Sequence, residues 1–325
     1  MSGAFDDAAL AGAELLARAQ RAFGPAALIA ETLPRRKAIV AVGNAAEVAL
    51  AAEVDEGLAQ AAIDKLRDAE PPTAEELAAL EACIRFMRPA WLVRRDRIFA
   101  RVGEGPAGPM LRAIEPLLAG VGCILRRGQR QGIATGFLVA PRALVTSAHV
   151  LRQLSPNGSL AAGDASAQFG LEADEIERHA PVPIAGVSAV HPSADVVVLA
   201  LAADGPHAGL PVRAGPAPAA GAALLVVGYP RADERTPLFA SAVYADLYGV
   251  KRAAPGEVTG GDDERLFHDA STLGGNSGSP VLDLETAAVV GVHATGHFAH
   301  RNEAIRSSVL AAEGSLRPFI GAIAT

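Results

Sequence analysis

The chain has few cysteines, few aromatic residues and no long apolar run. Only two cysteines, Cys83 and Cys123, occur in 325 residues, and they lie in different predicted segments, so we expect no bridge between them. No uninterrupted apolar run reaches the ~18 residues that a membrane span needs. The formal net charge of −7 argues against a general affinity for nucleic acid.

The first seven residues, Met1–Asp7, lack both the basic start and the apolar core of a secretory signal. Together with the scarcity of cysteine, this favours a soluble protein of a reducing cytoplasm. Half of the residues are apolar, although only 4% are aromatic, so aliphatic side chains must supply the cores. A length of 325 residues allows about two domains.

A serine among glycines is the most informative feature. Residues 274–280 read GGNSGSP, with Ser277 at the centre. Small residues leave such a turn open, so the hydroxyl can reach a substrate. Main-chain N–H groups of this loop, from Gly275, Asn276 and Ser277, can then point at a developing oxyanion, with Gly275 and Ser277 as the two donors.

Two upstream residues are suitable partners for Ser277. His149 follows TGFLVAPRALVTSA, in which two β-branched, apolar runs flank a Pro-Arg turn and predict a hairpin. Asp195 stands immediately before VVVLAL, a run suited to a buried strand. A carboxylate at the mouth of such a strand is costly to desolvate unless a partner donates a hydrogen bond to it.

Taken together, these segments resemble a chymotrypsin-fold serine peptidase of the bacterial trypsin-like branch. The matching pieces are TGFLV…LVTSAHV, HPSADVVVLAL and GGNSGSPVLD. The order His, Asp, Ser is the one that this fold uses, whereas subtilisin and α/β-hydrolase enzymes use other orders. The separations, 195 − 149 = 46 and 277 − 195 = 82 residues, suit two six-stranded barrels. The resemblance covers about residues 115–325.

The resemblance implies a mostly β catalytic domain, a double six-stranded antiparallel β-barrel, preceded by a small and mainly α-helical domain. Ser277 would be the nucleophile, His149 the general base and Asp195 the group that orients the imidazole. Secreted animal relatives carry a disulfide beside the catalytic histidine, where this chain has Val150. The barrels are therefore expected to be held by packing alone.

Departures from the digestive peptidases bear on specificity and activation. Ser271 replaces the Asp that accompanies cleavage after basic residues, and Asn276 replaces the Asp that pairs with a newly cut amino terminus. Thr272 and His293 instead match glutamyl endopeptidases, in which these positions bind an acidic P1 side chain. A hydroxyl and an imidazole N–H can both donate to a carboxylate. The alternative is that His293 merely ends a strand.

Outside these motifs, we expect neither metal nor cofactor. His293, His297 and His300 lie close together along the chain, but no cysteine or carboxylate is placed to complete a metal shell.

The first hundred residues are predicted to be helical. Thr73-x-x-Glu76 is a capping box before an apolar helical face, and Pro71-Pro72 separates it from an earlier helix. We therefore predict a mainly helical adaptor or regulatory domain over 1–102, a linker over 103–109 and a peptidase domain over 110–325. A cluster of arginines near the end of the module is interpreted as a solvated face, with docking to an acidic protein partner as the alternative.

Two classes of function follow. The first is a serine endopeptidase that acts on polypeptides and whose helical front half recruits or regulates. The second is a trypsin-fold scaffold that is catalytically silent or latent, in a bacterial stress or conflict system. The intact set of His149, Asp195 and Ser277 favours the enzyme; an esterase with the same three groups is a third option, which the fold's extended cleft disfavours.

Overall fold

The computed structural model describes residues 2–23, 55–99, 108–173, 180–232, 240–297 and 301–324. By its contacts the chain forms two compact units. The first comprises Met1–Pro89, Thr236–Asp246 and His297–His300, and the second comprises Ala90–Arg235, Leu247–Gly296 and Arg301–Thr325. Most of the predicted linker, 103–107, lies outside the described residues, and residue 108 already begins a helix.

Helices build the first unit, as predicted. They are α1 (Ser2–Phe23), α2 (Glu56–Arg67), α3 (Ala74–Met87) and the later α6 (Ala240–Tyr244). The capping box is present, since Thr73 Oγ1 accepts from the Glu76 N–H and Glu76 Oε2 accepts from the Thr73 N–H. Leu80 and Ile84 on α3 are fully buried against the apolar faces of α1 and α2. Burial of each such side chain stabilises the unit by about 1.5–3 kcal/mol.

The second unit contains a closed barrel of six antiparallel strands, paired in the order β3-β4-β5-β8-β7-β6. Its strands are β3 (Val121–Arg126), β4 (Ala134–Ala140), β5 (Ala143–Thr146), β6 (Ala165–Gln168), β7 (Val182–Val190) and β8 (Val197–Leu201). The predicted hairpin around the Pro-Arg turn is confirmed as β4–β5, with Phe137 opposite Val145 and Ala140 opposite Ala143. Helix α4 (Gly108–Ile114) and a 3₁₀ turn (Glu115–Gly120) lead into β3, and α5 (Ala148–Leu154) follows β5.

Six further strands close a second ring in the order β10-β13-β14-β15-β12-β11, because β11 also pairs with β10. They are β10 (Ala223–Gly228), β11 (Arg252–Gly261), β12 (Arg265–His268), β13 (Pro280–Asp283), β14 (Val289–His297) and β15 (Arg301–Arg306). The short strand β9 (Val212–Arg213) pairs in parallel with β14, and β16 (Ile323–Ala324) pairs in parallel with β9. Helix α7 (Ser307–Ala312) follows β15. The predicted double six-stranded barrel, preceded by helices, is confirmed.

A hairpin near the start of the second unit extends the second ring. Its strands are β1 (Trp91–Arg94) and β2 (Arg97–Phe99), and β1 pairs with β11. These residues fall within the range 1–102 that is predicted as the helical domain. They instead form strands in which the buried Trp91 and Val93 alternate with the half-buried Leu92 and Arg94. Arg95 and Asp96 adopt the positive φ values of a tight hairpin turn.

Cys83 and Cys123 are both buried thiols that take no part in a disulfide. Burial raises the pKa of the Cys123 thiol to about 12, so that thiol is inert at neutral pH. Across the described ranges, no helix is long and apolar enough to cross a membrane.

Candidate active site

The predicted base and its partner meet at the edge of the first barrel. β5 ends at Thr146, and His149 is the second residue of the short helix α5, while Asp195 lies two residues before β8. His149 Nδ1 is 2.6 Å from Asp195 Oδ2, and the His149 main-chain N–H donates to Asp195 Oδ1 over 2.8 Å. Since a carboxylate only accepts, Nδ1 carries the hydrogen and Nε2 is the basic nitrogen.

The electrostatics of this pair keep Asp195 ionised. Burial by itself would raise the pKa of the Asp195 carboxyl, but the hydrogen bonds and charge of His149 outweigh that effect and hold the pKa below its usual value. Arg152 lies 3.6 Å from Asp195 Oδ1. Its side chain is 65% exposed, so solvent screens most of its contribution.

Main-chain hydrogen bonds bring the Ser277 loop to the same place. The carbonyl oxygen of His293 accepts from the Gly278 N–H over 2.7 Å and from the Ser147 hydroxyl over 3.1 Å. Ser147 lies two residues before His149, and Gly278 lies one residue after Ser277, so one carbonyl joins the two segments. The Ser277 hydroxyl is partly exposed, and no hydrogen bond within 3.5 Å joins it to His149 in the described part of the chain. Such bonds are often long without substrate.

Thr135 of β4 fastens this loop to the first barrel. Its N–H donates to the Ser277 carbonyl over 3.0 Å, and its hydroxyl donates to the Gly275 carbonyl over 2.8 Å. The same hydroxyl accepts from the Tyr229 N–H over 3.0 Å. Because Thr135 belongs to one ring and Tyr229 follows β10 of the other, both rings fix the loop.

Glycine is required at two positions of this loop. Gly275 has a φ of +91°, and a Cβ there would lie 2.3 Å from the Tyr229 carbonyl oxygen. Gly278 has a φ of +85°, and a Cβ there would lie 2.1 Å from Thr146 Oγ1. Both the backbone conformation and the space exclude a side chain. Steric exclusion of a Cβ therefore explains why glycine occupies these two positions of the GGNSGSP pattern.

The loop presents two of the three N–H groups that we predicted for the oxyanion. Neither the Gly275 nor the Ser277 N–H donates to any described residue, which leaves both available. The Asn276 N–H instead donates to the Leu273 carbonyl over 3.1 Å. Asn276 Nδ2 approaches the same carbonyl at 3.3 Å, and its Oδ1 accepts from Ser279 Oγ at 3.5 Å, so Asn276 holds the loop together from inside.

The two predicted P1-pocket residues sit in separate hydrogen-bond pairs. Thr272 Oγ1 donates to Asn302 Oδ1 over 3.0 Å, and His293 Nδ1 lies 3.2 Å from His268 Nε2. His268 and Asn302 face each other across β12 and β15. Burial, and to a lesser degree the charge of His149, lowers the pKa of His293 to about 3, so this imidazole is neutral at physiological pH.

Sequence patterns did not point to Thr135, Ser147, His268 or Asn302 as parts of this region. Thr135 lies inside the TGFLV motif and Ser147 inside LVTSAHV, and these are the two signals that were present. His268 and Asn302 lie 25 and 30 residues from the groups they contact. Among the described residues, no three histidine, cysteine or acidic side chains gather as metal ligands.

Comparison with known proteins gives a family for this region. Residues 134–292 match the family model for a trypsin-like peptidase domain. None of the curated proteins compared with the chain matches it.

Similar solved structures include peptidases. The chain is 21% identical to Rv3671c from M. tuberculosis H37Rv in an inactive form, covering 66% of this chain and 94% of that one, with a TM-score of 0.46. It is 16% identical to a serine endoprotease from Yersinia pestis, covering 66% and 68%, with a TM-score of 0.47. It is 20% identical to a Glu endopeptidase, covering 64% and 91%, with a TM-score of 0.48.

The family match spans β4 to β14, and so contains His149, Asp195 and Ser277 together with most of the strands of both rings. Residues 134–292 of this protein are therefore a trypsin-like peptidase domain.

Proposed function

We propose that the protein is a serine endopeptidase in which Ser277, His149 and Asp195 form the catalytic triad. The observation that carries the proposal is the His293 carbonyl, which holds the segments of His149 and Ser277 together, combined with the 2.6 Å contact between His149 and Asp195. A hydroxyl and an oriented imidazole beside two available N–H groups are the elements of acyl transfer.

In this mechanism Ser277 Oγ attacks the peptide carbonyl carbon while His149 Nε2 takes the hydroxyl proton. The N–H groups of Gly275 and Ser277 donate to the oxyanion, a contribution of about 3 kcal/mol per donor in comparable sites. The imidazolium, stabilised by Asp195, then protonates the leaving nitrogen, and the C–N bond breaks to give an acyl-enzyme. Water, deprotonated by His149, attacks the ester, and the proton returns to Ser277 as the acid product leaves.

The P1 pocket is proposed to lie beside Thr272 and His293. A glutamate-type side chain, one that ends in a carboxylate or its amide, can accept a hydrogen bond from the neutral His293 imidazole. The acidic P1 preference implied by the resemblance belongs to this class.

The helical unit is proposed to recruit or regulate. It has its own apolar core and a buried Arg18–Glu81 ion pair, with contacts of 2.6 and 2.9 Å. The peptidase motifs lie outside it, and of the family match only residues 236–246 fall within it. An acidic protein is the partner class that the arginines near its end would bind.

A covalent label on the serine tests the proposal. We expect a fluorophosphonate to modify Ser277 of the wild-type protein and of Ser159→Ala, which changes an exposed serine. We expect no label on Ser277→Ala, whose kcat should fall by about 10⁶-fold.

The competing scaffold function gives a different result. A folded protein that takes no label and cleaves no peptide would support the scaffold. Peptide cleavage by Ser277→Ala at the wild-type rate would remove the triad assignment.

A further inference from the structure

The Thr272 hydroxyl is oriented by a buried amide. Asn302 is 2% exposed, and its Nδ2 donates to the Ala270 carbonyl over 2.5 Å. Because a carbonyl only accepts, this contact fixes the amide so that Oδ1 faces Thr272, 3.0 Å away. The single hydroxyl hydrogen of Thr272 is therefore used by Asn302. What Thr272 offers to a ligand is its lone pair, which accepts a hydrogen bond.

Gly296 packs directly against these two oxygens. A Cβ added to it would lie 2.5 Å from Asn302 Oδ1 and 3.4 Å from Thr272 Oγ1, so glycine is what lets the strand approach the amide this closely. Thr272 is partly exposed, whereas Asn302 is buried. A ligand that reaches Thr272 therefore meets an oxygen whose hydrogen is already donated to Asn302.

The imidazole pair supplies the complementary group. His268 and His293 are 0% and 3% exposed, and their rings share one hydrogen between His268 Nε2 and His293 Nδ1. When His268 donates, His293 Nδ1 is the acceptor and its hydrogen sits on Nε2. No described residue forms a hydrogen bond with His293 Nε2, so in this tautomer its hydrogen is left for a ligand oxygen.

From this pattern of one donor and one acceptor we infer that the P1 pocket prefers glutamine to glutamate. The inference rests on the proposed function and specifies the substrate class of the same site. A carboxamide oxygen accepts from His293 Nε2–H, and the carboxamide NH₂ donates to Thr272 Oγ1. A carboxylate has no hydrogen to donate, must draw the Thr272 hydrogen away from Asn302, and places its charge against a neutral imidazole.

Four peptides that differ only at P1, with Gln, Glu, Leu or Arg, test the inference on the full-length protein. At pH 7.5 we expect kcat/KM for Gln to exceed that for Glu by at least about tenfold, since a buried group left unpaired discriminates at this level or above. An equal or higher kcat/KM for Glu would overturn the inference.

The pH dependence of the ratio adds a second readout. A protonated glutamate carries a hydrogen where glutamine carries NH₂, so it can donate to Thr272 as the amide does. We expect the Gln/Glu ratio to fall toward unity as pH approaches the ordinary glutamate pKa of about 4.3. Titration of the enzyme itself cancels in this ratio because both peptides use the same triad. A ratio that is constant from pH 8 to pH 5 would contradict the acceptor role of Thr272.

Two variants separate the roles of Thr272 and Asn302. Thr272→Val keeps the shape but removes the acceptor, so kcat/KM for Gln should fall about tenfold with no gain for Glu. Asn302→Ala releases the Thr272 hydrogen, so the Glu peptide should gain while the Gln peptide loses. Fluorophosphonate labelling of Ser277 in both variants is the control for an intact triad. The matched control variant is Ser159→Ala, which changes an exposed serine and should leave kcat/KM for all four peptides within about twofold of the wild type.

The outcomes distinguish this inference from the proposed function. Cleavage of the Leu and Glu peptides with no preference for Gln overturns the inference alone and leaves the peptidase in place. An unlabelled protein that cleaves none of the four peptides overturns both. Unchanged Gln/Glu ratios in both variants would remove Thr272 and Asn302 as determinants.

Discussion

Lys251 is the residue whose replacement we expect to destabilise the peptidase domain most. Its side chain is fully buried, and Nζ lies 2.8 Å from the Leu118 carbonyl, 3.0 Å from the Phe169 carbonyl, 3.2 Å from Glu172 Oε1 and 3.3 Å from Asp96 Oδ1. Burial lowers the pKa of the Lys251 ammonium, and the two carboxylates oppose that shift only in part. The ammonium is thus a cation that four acceptors from separate segments enclose.

The expected loss in the free energy of unfolding follows from the buried groups that Lys251→Met leaves without their cation. Glu172, whose side chain is 1% exposed, would lose the buried cation beside it, and removal of one partner of a buried ion pair costs about 3–5 kcal/mol. Loss of the hydrogen bond to the Leu118 carbonyl adds about 1 kcal/mol. We therefore expect the free energy of unfolding to fall by about 4–6 kcal/mol, a large share of the 5–15 kcal/mol typical of a domain.

The only tryptophan makes the assay specific to this region. Trp91 of β1 is 3% exposed and pairs with Ala253, two residues after Lys251, while the turn of the same hairpin contributes Asp96. Urea unfolding should be followed by tryptophan fluorescence and by far-UV circular dichroism. We expect the fluorescence midpoint of Lys251→Met to fall at least as far as the circular dichroism midpoint.

Two further variants serve as controls. Lys65→Met removes a lysine that is 33% exposed and pairs with Glu76, and we expect it to cost about 1 kcal/mol or less. Lys251→Met combined with Glu172→Gln also removes the buried carboxylate that has lost its cation, so it should be more stable than Lys251→Met alone. A loss below about 1 kcal/mol in Lys251→Met, or a double variant that is less stable than the single one, would refute the reasoning.

Two other predictions concern the active-site loop and its neighbours. Gly278→Ala places a Cβ 2.1 Å from Thr146 Oγ1, so we expect kcat/KM to fall at least about 100-fold. The control is Gly128→Ala, which has a φ of +76° and open space around it, and which should lower only the free energy of unfolding, by about 1 kcal/mol. Equal activity in the two variants would contradict the steric argument. His293 has a folded pKa of about 3, below its ordinary value of 6.5, so its neutral form stabilises the fold above pH 6.5 and that contribution is lost as pH falls toward 3. Relative to His293→Gln, urea unfolding of the wild type should therefore show an extra loss of about 2 kcal/mol at pH 5, and parallel pH profiles would count against it.

The prediction of local structure from sequence succeeded where the signal was local. The β4–β5 hairpin follows from two β-branched runs around a Pro-Arg turn, and the Thr73 capping box follows from residue types three positions apart. The glycines of the Ser277 loop are informative for the same reason, since a positive φ and a nearby carbonyl exclude any side chain at Gly275. The triad assignment itself stays a prediction until Ser277 is labelled.

Other features were set by pairing between distant segments. Residues 91–99 were assigned to the helical domain from the module that precedes them, yet they form a hairpin that pairs with β11 about 160 residues later in the chain. No pattern within residues 91–99 predicts this pairing, because the strand that pairs with Trp91 depends on how all the strands of the sheet are arranged.

The amino-acid sequence by itself determined the β4–β5 hairpin, the capped helix before the barrels and the residue types that can perform acyl transfer, because periodicity, turn chemistry and glycine requirements act over a few neighbouring residues. The two-barrel fold was expected from the resemblance of three motifs to a known family. Only the tertiary structure decided that the Asn276 N–H turns inward, that Asn302 takes the hydrogen of Thr272, and that Lys251 is enclosed by four acceptors. Those hydrogen bonds depend on which strands become neighbours in the sheet. The arrangement of the strands is the one that minimises the free energy of the whole chain, so it cannot be deduced from any one segment.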